Sequence, residues 1–270
     1  MTNKAAKMMA DGHGIRVSDA RGSTSDWPSR VTNSDNTREN VACRPYDPRP
    51  MSETVVIFSG GNPLEIWHRS ALPEEATVIG VDSGIDRAHE VGRVIDIAVG
   101  DFDSVTARGL VEAERGGAAI VRHPTVKDRT DLELAIDLAV EQAPQRIVFV
   151  AMAGGRPDHE MAGLMLLSDP RLRAFDVDVL LPAARVAVVQ ERRTLTGRVD
   201  DLVSLIPIGG SCFGVTTSGL RYGLADETLY ASSGRGVSNL MDGPVAVVSV
   251  RTGTLLAYQP LVDVSTEPVR

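Results

Sequence analysis

Short apolar runs and helical stretches alternate along residues 55–181, and this alternation limits the folds open to the chain. The runs have the length of strands and lie at residues 55–59, 77–81, 95–99, 118–121, 147–151 and 177–181. Strands that alternate with helices favour a mainly parallel sheet with helices on both faces. We therefore predict an α/β domain over residues 51–183.

The pattern changes after residue 183, where helical periodicity fades. Short β-prone runs follow at residues 185–190, 202–207, 214–217, 228–231 and 245–250, separated by Gly and Asp turns. This spacing is typical of a β-sandwich or barrel. We predict a smaller, all-β, sandwich-like domain over residues 184–270.

The first fifty residues differ from both halves. They are rich in Ser, Asn, Asp, Arg and Gly, and they keep neither a helical nor a strand period for long. This composition predicts a disordered N-terminal extension over residues 1–50. Because Met51 lies four residues before Val55, where the first apolar strand begins, we hypothesise that translation starts there.

Composition excludes several classes of partner. The net charge of −8 argues against a broad nucleic-acid surface and against an anionic membrane partner. Cys43 and Cys212 are too few for a disulfide framework, so the cytoplasm is the expected compartment. No apolar run approaches the roughly 20 residues that span a bilayer.

Two aspartates follow the third predicted strand in the segment Gly100-Asp101-Phe102-Asp103-Ser104. In an extended segment Asp101 and Asp103 would point to the same side, at the strand end where open α/β sheets bind ligands. Mg²⁺ prefers carboxylate oxygens and shares phosphate oxygens of a substrate. The pair therefore indicates a magnesium and polyphosphate site, although Gly, Asp and Ser also form ordinary turns.

A second cluster, Lys127-Asp128-Arg129-Thr130-Asp131-Leu132-Glu133, precedes a helix. Thr130 and Glu133 have the spacing of a capping box, and Asp131 would lie in the first helical turn even without a metal. Cations beside a helix N-terminus gain little unless an anion binds there. Lys127 and Arg129 therefore indicate phosphate binding.

A third cluster, Gly154-Gly155-Arg156-Pro157-Asp158-His159, follows the fifth predicted strand and opens a helix. Adjacent glycines allow the backbone to approach a ligand closely, and the guanidinium of Arg156 can fork onto phosphate oxygens. His159 alone is more often a surface or core histidine than a catalytic one.

The order of these segments resembles that of the thiamine pyrophosphokinases over roughly residues 55–258. The resemblance rests on the three clusters together with Asp82-Ser83-Gly84, Gly219-Leu220-Arg221-Tyr222 and Gly236-Val237-Ser238-Asn239. It implies transfer of a pyrophosphoryl group from ATP to the hydroxyl of thiamine, with Mg²⁺, giving thiamine diphosphate and AMP. It also implies a homodimer in which the β domain of one subunit completes the thiamine pocket of the other.

The resemblance assigns roles to particular residues. The expected metal ligands are Asp101, Asp103 and Asp131, which with Asp158 form the catalytic set. The expected nucleotide-binding residues are Asp82, Lys127, Asp128, Arg156 and His159. The expected thiamine-binding residues are Tyr222, whose ring can stack on a heteroaromatic cation, and Ser238 and Asn239.

Two departures keep other functions open. The family usually has Gly where this chain has Ser83, and usually has Asn where this chain has Gly163. The alternatives are a pyrophosphokinase acting on a hydroxymethylpterin and a non-catalytic nucleotide or thiamine sensor. An aspartyl-phosphate phosphatase is a weaker alternative, because Val105 stands where that motif has threonine.

Overall fold

The structure is a computed structural model that describes residues 52–261. The predicted extension over residues 1–50 and the proposed start at Met51 lie outside the described range. No helix between residues 52 and 261 is both long enough and apolar enough to cross a bilayer.

Strands and helices alternate through the first part of the described chain. The strands are β1 (Thr54–Phe58), β2 (Thr77–Val81), β3 (Ile97–Gly100), β4 (Ala119–Arg122), β5 (Arg146–Val150) and β6 (Asp176–Leu181). The helices are α1 (Ile66–Ala71), α2 (Gly84–Glu90), α3 (Ala107–Gly116), α4 (Asp131–Glu141) and α5 (Pro157–Leu166), with a short 3₁₀ helix at Pro170–Ala174.

These six strands form a parallel sheet in the order β4-β3-β2-β1-β5-β6. The chain runs outward from β1 to β4 and then returns to add β5 and β6 on the other side of β1. Strand order therefore reverses between β1 and β5, and such a reversal leaves a crevice at the carboxyl ends of the strands.

Alternation along β1 places its side chains in two separate cores. Val55 and Ile57 pack in the core that includes Ala135 and Ile136 of α4. Val56 and Phe58 pack on the opposite face, in the core that includes Ile85 of α2. Helices thus cover both faces of the sheet, as expected for buried parallel strands.

The remaining strands are mostly antiparallel and have their own core. They are β7 (Ala184–Val189), β8 (Arg192–Thr196), β9 (Leu202–Ser218), β10 (Glu227–Leu229), β11 (Asn239–Leu240), β12 (Val245–Ser249) and β13 (Thr252–Pro260). Leu205, Cys212 and Val248 belong to that core. The predicted fold class, a mainly parallel α/β sheet followed by an all-β region, is confirmed.

The sheet continues from the α/β half into the all-β half without a break. β7 pairs antiparallel with β6, and β13 pairs with both β7 and β9. The predicted boundary at residue 183 falls in the short turn between β6 and β7. The division into two domains at this residue stays a prediction, because β6 and β7 on either side of it are hydrogen-bonded neighbours in one sheet.

Several strand predictions were inaccurate. β3 begins at Ile97 and not at Ile95, and the carboxylate of Asp96 accepts a hydrogen bond from the Val78 backbone N–H at 2.9 Å. β8, β11 and β13 were not predicted. The runs at 202–207 and 214–217 are one strand, β9, in which Gly209 and Gly210 adopt positive φ and the register with β13 shifts.

Candidate active site

A pocket of about 680 Å³ opens at the carboxyl ends of the parallel strands, beside the reversal in strand order. Each neighbouring strand contributes a loop to it. Gly60 and Gly61 follow β1, Asp82 follows β2, Asp101 follows β3 and Gly155 follows β5. Loops far apart in sequence therefore meet at one site because their strands end at the same edge of the sheet.

Five carboxylates line this pocket: Asp82, Asp101, Asp103, Asp131 and Asp158. Asp82 adopts a left-handed conformation with φ 46°, and its Oδ1 accepts a hydrogen bond from the Phe102 N–H at 3.1 Å. Burial, followed by the negative charge of Asp131, raises the pKa of Asp82 to about 7, against the opposing effect of that hydrogen bond. Asp101 and Asp103 add smaller effects in the same direction as burial. The neighbouring carboxylates are thus close enough to disfavour the ionisation of Asp82.

Lys127 is the cation beside Asp101 and Asp131. Its Nζ lies 3.1 Å from Oδ2 of Asp131 and 3.9 Å from Oδ2 of Asp101, and it donates to the Pro124 carbonyl at 2.9 Å. The other carboxylate oxygen of Asp131, Oδ1, is buried and has no hydrogen-bond partner. One buried carboxylate oxygen of the site therefore has no hydrogen-bond donor among the described residues.

Within residues 52–261, no group of three His, Cys, Asp or Glu side chains is arranged so that it could hold a metal ion. The structure brings the predicted metal ligands Asp101, Asp103 and Asp131 into one pocket without converging their oxygens on a single point. Their role as metal ligands stays a prediction.

The backbone between Asp101 and Asp103 is not extended, so that part of the prediction was wrong. Phe102 adopts φ 62°, and the Asp103 N–H donates to Oδ1 of Asp101 at 3.1 Å. This hydrogen bond lowers the pKa of Asp101. The left-handed turn, and not strand alternation, brings both aspartates to the pocket.

Local signals at the start of α4 predicted its geometry correctly. Thr130 caps the helix, its Oγ1 accepts from the Glu133 N–H, and Glu133 returns a hydrogen bond to the Thr130 N–H. This capping box places Asp131 in the first turn, beside the pocket. Glu133 therefore has the structural role that the spacing predicted.

Asp128 and Arg129 do not line the pocket. Asp128 is exposed. The guanidinium of Arg129 turns to Asp137, in the second turn of α4, with NH1–Oδ2 at 2.5 Å and NH2–Oδ1 at 2.9 Å. The nucleotide-binding role predicted for Asp128 has no pocket contact to support it, and the phosphate-binding role predicted for Arg129 is wrong for this arrangement.

The segment after β5 forms another wall of the pocket. Gly155 has φ 76°, and no atom beyond its chain neighbours would lie within 4 Å of a Cβ added there. The exposed side chains of Arg156, Asp158 and His159 line the pocket. Arg156 forks onto Asp158, with Nε–Oδ1 at 3.0 Å and NH2–Oδ2 at 2.6 Å. This pairing holds the pKa of Asp158 well below its usual range, so the carboxylate is a weak base.

Sequence reasoning did not assign several residues that line the pocket. The loop at Gly60 and Gly61 could reach the same edge of the sheet but is also an ordinary turn sequence, and Thr125 and Met152 were assigned no role. Gly163, noted only as a departure, also lines the pocket: a Cβ there would meet Cε of Met152 at 2.9 Å. Position after a parallel strand was the one signal shared by Gly60, Gly61 and Met152.

Tyr222, Ser238 and Asn239 lie together in the all-β half, and none of them lines the pocket. Tyr222 is 63% exposed. Asn239 is 4% exposed, and its carboxamide bonds the backbone N–H and C=O of Tyr222 at 2.9 and 2.8 Å. The exposed Ser238 donates its N–H to Oγ of Ser204 at 3.1 Å. Within one chain, Tyr222 and Ser238 therefore form an exposed surface outside the pocket, and the buried Asn239 is bonded to the backbone of Tyr222.

Two family models match this chain in sequence order. The model for "Thiamin pyrophosphokinase, catalytic domain" matches residues 68–180. The model for "Thiamin pyrophosphokinase, vitamin B1 binding domain" matches residues 192–255. The first match covers β2 to β5 and the loops that carry the acidic residues of the pocket, but not β1 or its loop at Gly60 and Gly61. The second match covers Tyr222, Ser238 and Asn239.

Relatives and solved structures agree with these matches. The thiamine pyrophosphokinase of Bacillus subtilis (strain 168) is 27% identical over 213 residues, which are 76% of this chain and 97% of the relative. The crystal structure of thiamine pyrophosphokinase from Bacillus subtilis superposes with a TM-score of 0.67 at 25% identity, covering 77% of this chain and 99% of that chain. Yeast thiamin pyrophosphokinase shares the fold at 13% identity, with a TM-score of 0.64 over 81% of this chain and 89% of its own. With both domain models matched in order, this chain belongs to the thiamine pyrophosphokinase family.

Proposed function

We propose that this protein is a thiamine diphosphokinase, which transfers the pyrophosphoryl group of ATP to the hydroxyl of thiamine and releases AMP. One observation carries the proposal: the loops that match the catalytic-domain model meet in one acidic pocket that also holds Lys127. The match of residues 192–255 to a vitamin B1 binding domain favours thiamine over a hydroxymethylpterin. It also supports a catalyst more than a sensor, because both domains of the enzyme family are present.

Mg²⁺ suits the acidic side of the pocket. Oδ1 of Asp131 is buried without a hydrogen-bond partner. The pKa of Asp82 is raised by burial and by the neighbouring carboxylates. A cation bound among these carboxylates would therefore be stabilised by their negative charge. Asp101, Asp103 and Asp131 would hold the ion, and because their oxygens do not converge on one point in this arrangement, binding would require these side chains to turn towards it. When bound, Mg²⁺ neutralises charge on triphosphate oxygens.

The residues of the chain contribute mainly position and charge. The thiamine hydroxyl oxygen forms a bond to the β-phosphorus of ATP, and the bond from that phosphorus to the oxygen shared with the α-phosphate breaks. Lys127 stabilises negative charge on the phosphate oxygens as they redistribute. Transfers of this kind depend on alignment of the reacting atoms and on fixed charge more than on covalent chemistry of the protein.

Arg156 and Asp158 have linked roles in this scheme. The carboxylate of Asp158 orients the guanidinium of Arg156 at the rim of the pocket, where Arg156 can transfer hydrogen bonds to phosphate. Because its pKa is lowered, Asp158 is unsuited to accept the hydroxyl proton. His159, whose ring is exposed and lines the pocket, is our candidate acceptor.

We also propose that the enzyme acts in the cytoplasm as a homodimer, with the Tyr222 surface of one subunit facing the pocket of the other. Tyr222 is exposed and does not line the pocket of its own chain, which supports this arrangement. Mixing inactive Asp101→Ala and Tyr222→Ala proteins should restore part of the activity, because mixed dimers would contain one intact shared site. A mixture with no activity would contradict shared sites.

The function is tested by incubating the full chain with ATP, Mg²⁺ and either thiamine or hydroxymethyldihydropterin, and separating the products by chromatography. We expect AMP and thiamine diphosphate with thiamine only. Asp101→Ala and Asp103→Ala should abolish turnover, while the control Glu112→Ala, an exposed carboxylate of α3, should leave it unchanged. Formation of ADP in place of AMP would overturn the pyrophosphoryl assignment.

A further inference from the structure

Arg129 lies between two pocket residues in sequence, yet it faces away from the pocket. Lys127 precedes it by two positions and Asp131 follows it by two, and both of these line the pocket. The guanidinium of Arg129 instead forms a two-point fork onto the carboxylate of Asp137, at 2.5 and 2.9 Å. Its NH2 also donates to the Glu133 carbonyl at 3.3 Å. The loop that carries Lys127 is therefore tied to α4 by a side chain that is not itself in the pocket.

Asp137 is fixed from a second direction. NH1 of Arg171 lies 2.8 Å from Oδ1 of Asp137, and NH2 of Arg171 lies 2.6 Å from Oδ2 of Asp169. Asp169 in turn caps the 3₁₀ helix by accepting from the Arg171 N–H at 2.9 Å. Asp137 is thus a junction between α4, the 3₁₀ helix and the loop at Arg129.

The junction at Asp137 fixes the orientation of its side chains more than it adds to the stability of the fold. The side chains of Arg129, Asp137 and Arg171 are 40%, 26% and 48% exposed, and ion pairs with this exposure contribute little to folding when they are isolated. A bidentate arginine–carboxylate pair, however, fixes the direction of both groups. Lys127 and Arg129 are two residues apart in one short loop. The fixed direction of the Arg129 side chain therefore also limits where this loop can place the ammonium group of Lys127.

We propose that Asp137 is a positioning residue that, through Arg129, holds Lys127 at the place where it meets the phosphates of the nucleotide. The proposal rests on the proposed function, because it takes the ligand of Lys127 to be a polyphosphate. Neither Asp137 nor Arg129 lines the pocket. Their contribution therefore passes entirely through Lys127.

Binding of ATP, measured by calorimetry on the full chain with Mg²⁺ and without thiamine, tests this dependence. Arg129→Lys keeps the charge but removes the fork, and Asp137→Asn keeps the shape but removes the charge. Each should weaken ATP binding by about five- to tenfold, as expected for the loss of one oriented ionic contact. Their melting temperatures should stay near that of the parent.

The decisive arm repeats both substitutions in a Lys127→Met background. A positioning role requires that neither substitution weakens ATP binding further once the ammonium is gone. The matched control is Arg108→Lys, because Arg108 pairs with Glu112 on α3 at 2.7 Å outside the pocket. This control should leave ATP binding unchanged in both backgrounds.

Two results would overturn the proposal. One is an equal loss of ATP affinity with and without Lys127, which would show a general structural effect. The other is unchanged ATP affinity in Arg129→Lys and Asp137→Asn. Failure of the proposed function would look different, since a parent protein that binds ATP but forms no AMP still permits every arm of this comparison.

Discussion

The carboxamide of Asn239 binds both backbone polar groups of Tyr222. Its Oδ1 accepts from the Tyr222 N–H at 2.9 Å, and its Nδ2 donates to the Tyr222 carbonyl at 2.8 Å. The same Oδ1 accepts from the Leu240 N–H at 2.9 Å. Asn239 was predicted to contact thiamine, but its hydrogen-bonding atoms are already engaged in holding the turn that presents the Tyr222 ring.

Asn239→Ala should therefore weaken thiamine binding through Tyr222. Loss of the carboxamide leaves backbone groups of Tyr222 unpaired, so we also expect the free energy of unfolding to fall by about 1–3 kcal/mol. Tyr222→Ala is the matched comparison: it should weaken thiamine binding with little loss of stability, because the ring is 63% exposed. Calorimetric titrations with thiamine and with ATP, together with urea unfolding, measure both effects. An equal loss of ATP affinity in Asn239→Ala would contradict this role.

Asp82→Asn should stabilise the protein in a pH-dependent way. Because the folded-state pKa of Asp82 is raised from 3.8 to about 7, the folded protein retains a proton that the unfolded chain releases between these values. Asp82 therefore lowers stability increasingly as pH rises through this window, and its cost is complete only above pH 7. Asparagine removes the charge, retains an acceptor for the Phe102 N–H and tolerates the left-handed backbone.

Urea unfolding at pH 4 and at pH 8 checks this expectation. Asp82→Asn should match the parent at pH 4 and gain roughly 2 kcal/mol at pH 8. Asp176→Asn, which removes a carboxylate with 67% exposure on β6, serves as the control and should show no such gain. A gain of the same size at both pH values would rule out a titration of Asp82 as its cause.

Gly163→Ala should affect binding more than stability. An added Cβ would lie 2.9 Å from Cε of Met152 and 3.3 Å from Cδ2 of Leu132, so the flexible end of Met152 must shift. Helix propensity offsets this crowding by about 1 kcal/mol, and stability should stay within about 1 kcal/mol of the parent. Because Met152 and Gly163 both line the pocket, binding of nucleotide or thiamine should weaken.

Gly116→Ala provides a matched control for that substitution. Gly116 ends α3, and its added Cβ would lie 3.5 Å from Cγ1 of Val94, which is ordinary contact. It should leave ligand binding unchanged, as measured by the same titrations. If Gly163→Ala binds ATP and thiamine as the parent does, the space beside Met152 has no part in ligand recognition.

Patterns that depend on near neighbours were predicted well from sequence. The capping box of Thr130 and Glu133 is a four-residue signal, and α4 begins where it indicates. The alternation of strands with helices likewise predicted the parallel sheet, although β3 starts two residues later than expected. These features depend on hydrogen bonds and burial that a short stretch of chain largely determines.

Side-chain directions at the site were predicted less well. The turn at Phe102 replaced an expected extended segment, and Arg129 faces Asp137, eight residues along the chain, where phosphate was expected. Arg129 has several possible anionic partners within reach, and sequence alone does not rank them. The choice depends on Arg171, which approaches Asp137 from the 3₁₀ helix.

The amino-acid sequence by itself determined the α/β-then-β order, the helix start at Thr130 and the set of acidic and basic residues available for phosphate chemistry. Only the tertiary structure decided which of them share a pocket, which carboxylate has a raised pKa, and that Asn239 supports Tyr222. The physical reason is that burial and charge at Asp82 arise from loops up to 49 residues apart, Asp82 and Asp131, which meet only when their strands align in the sheet.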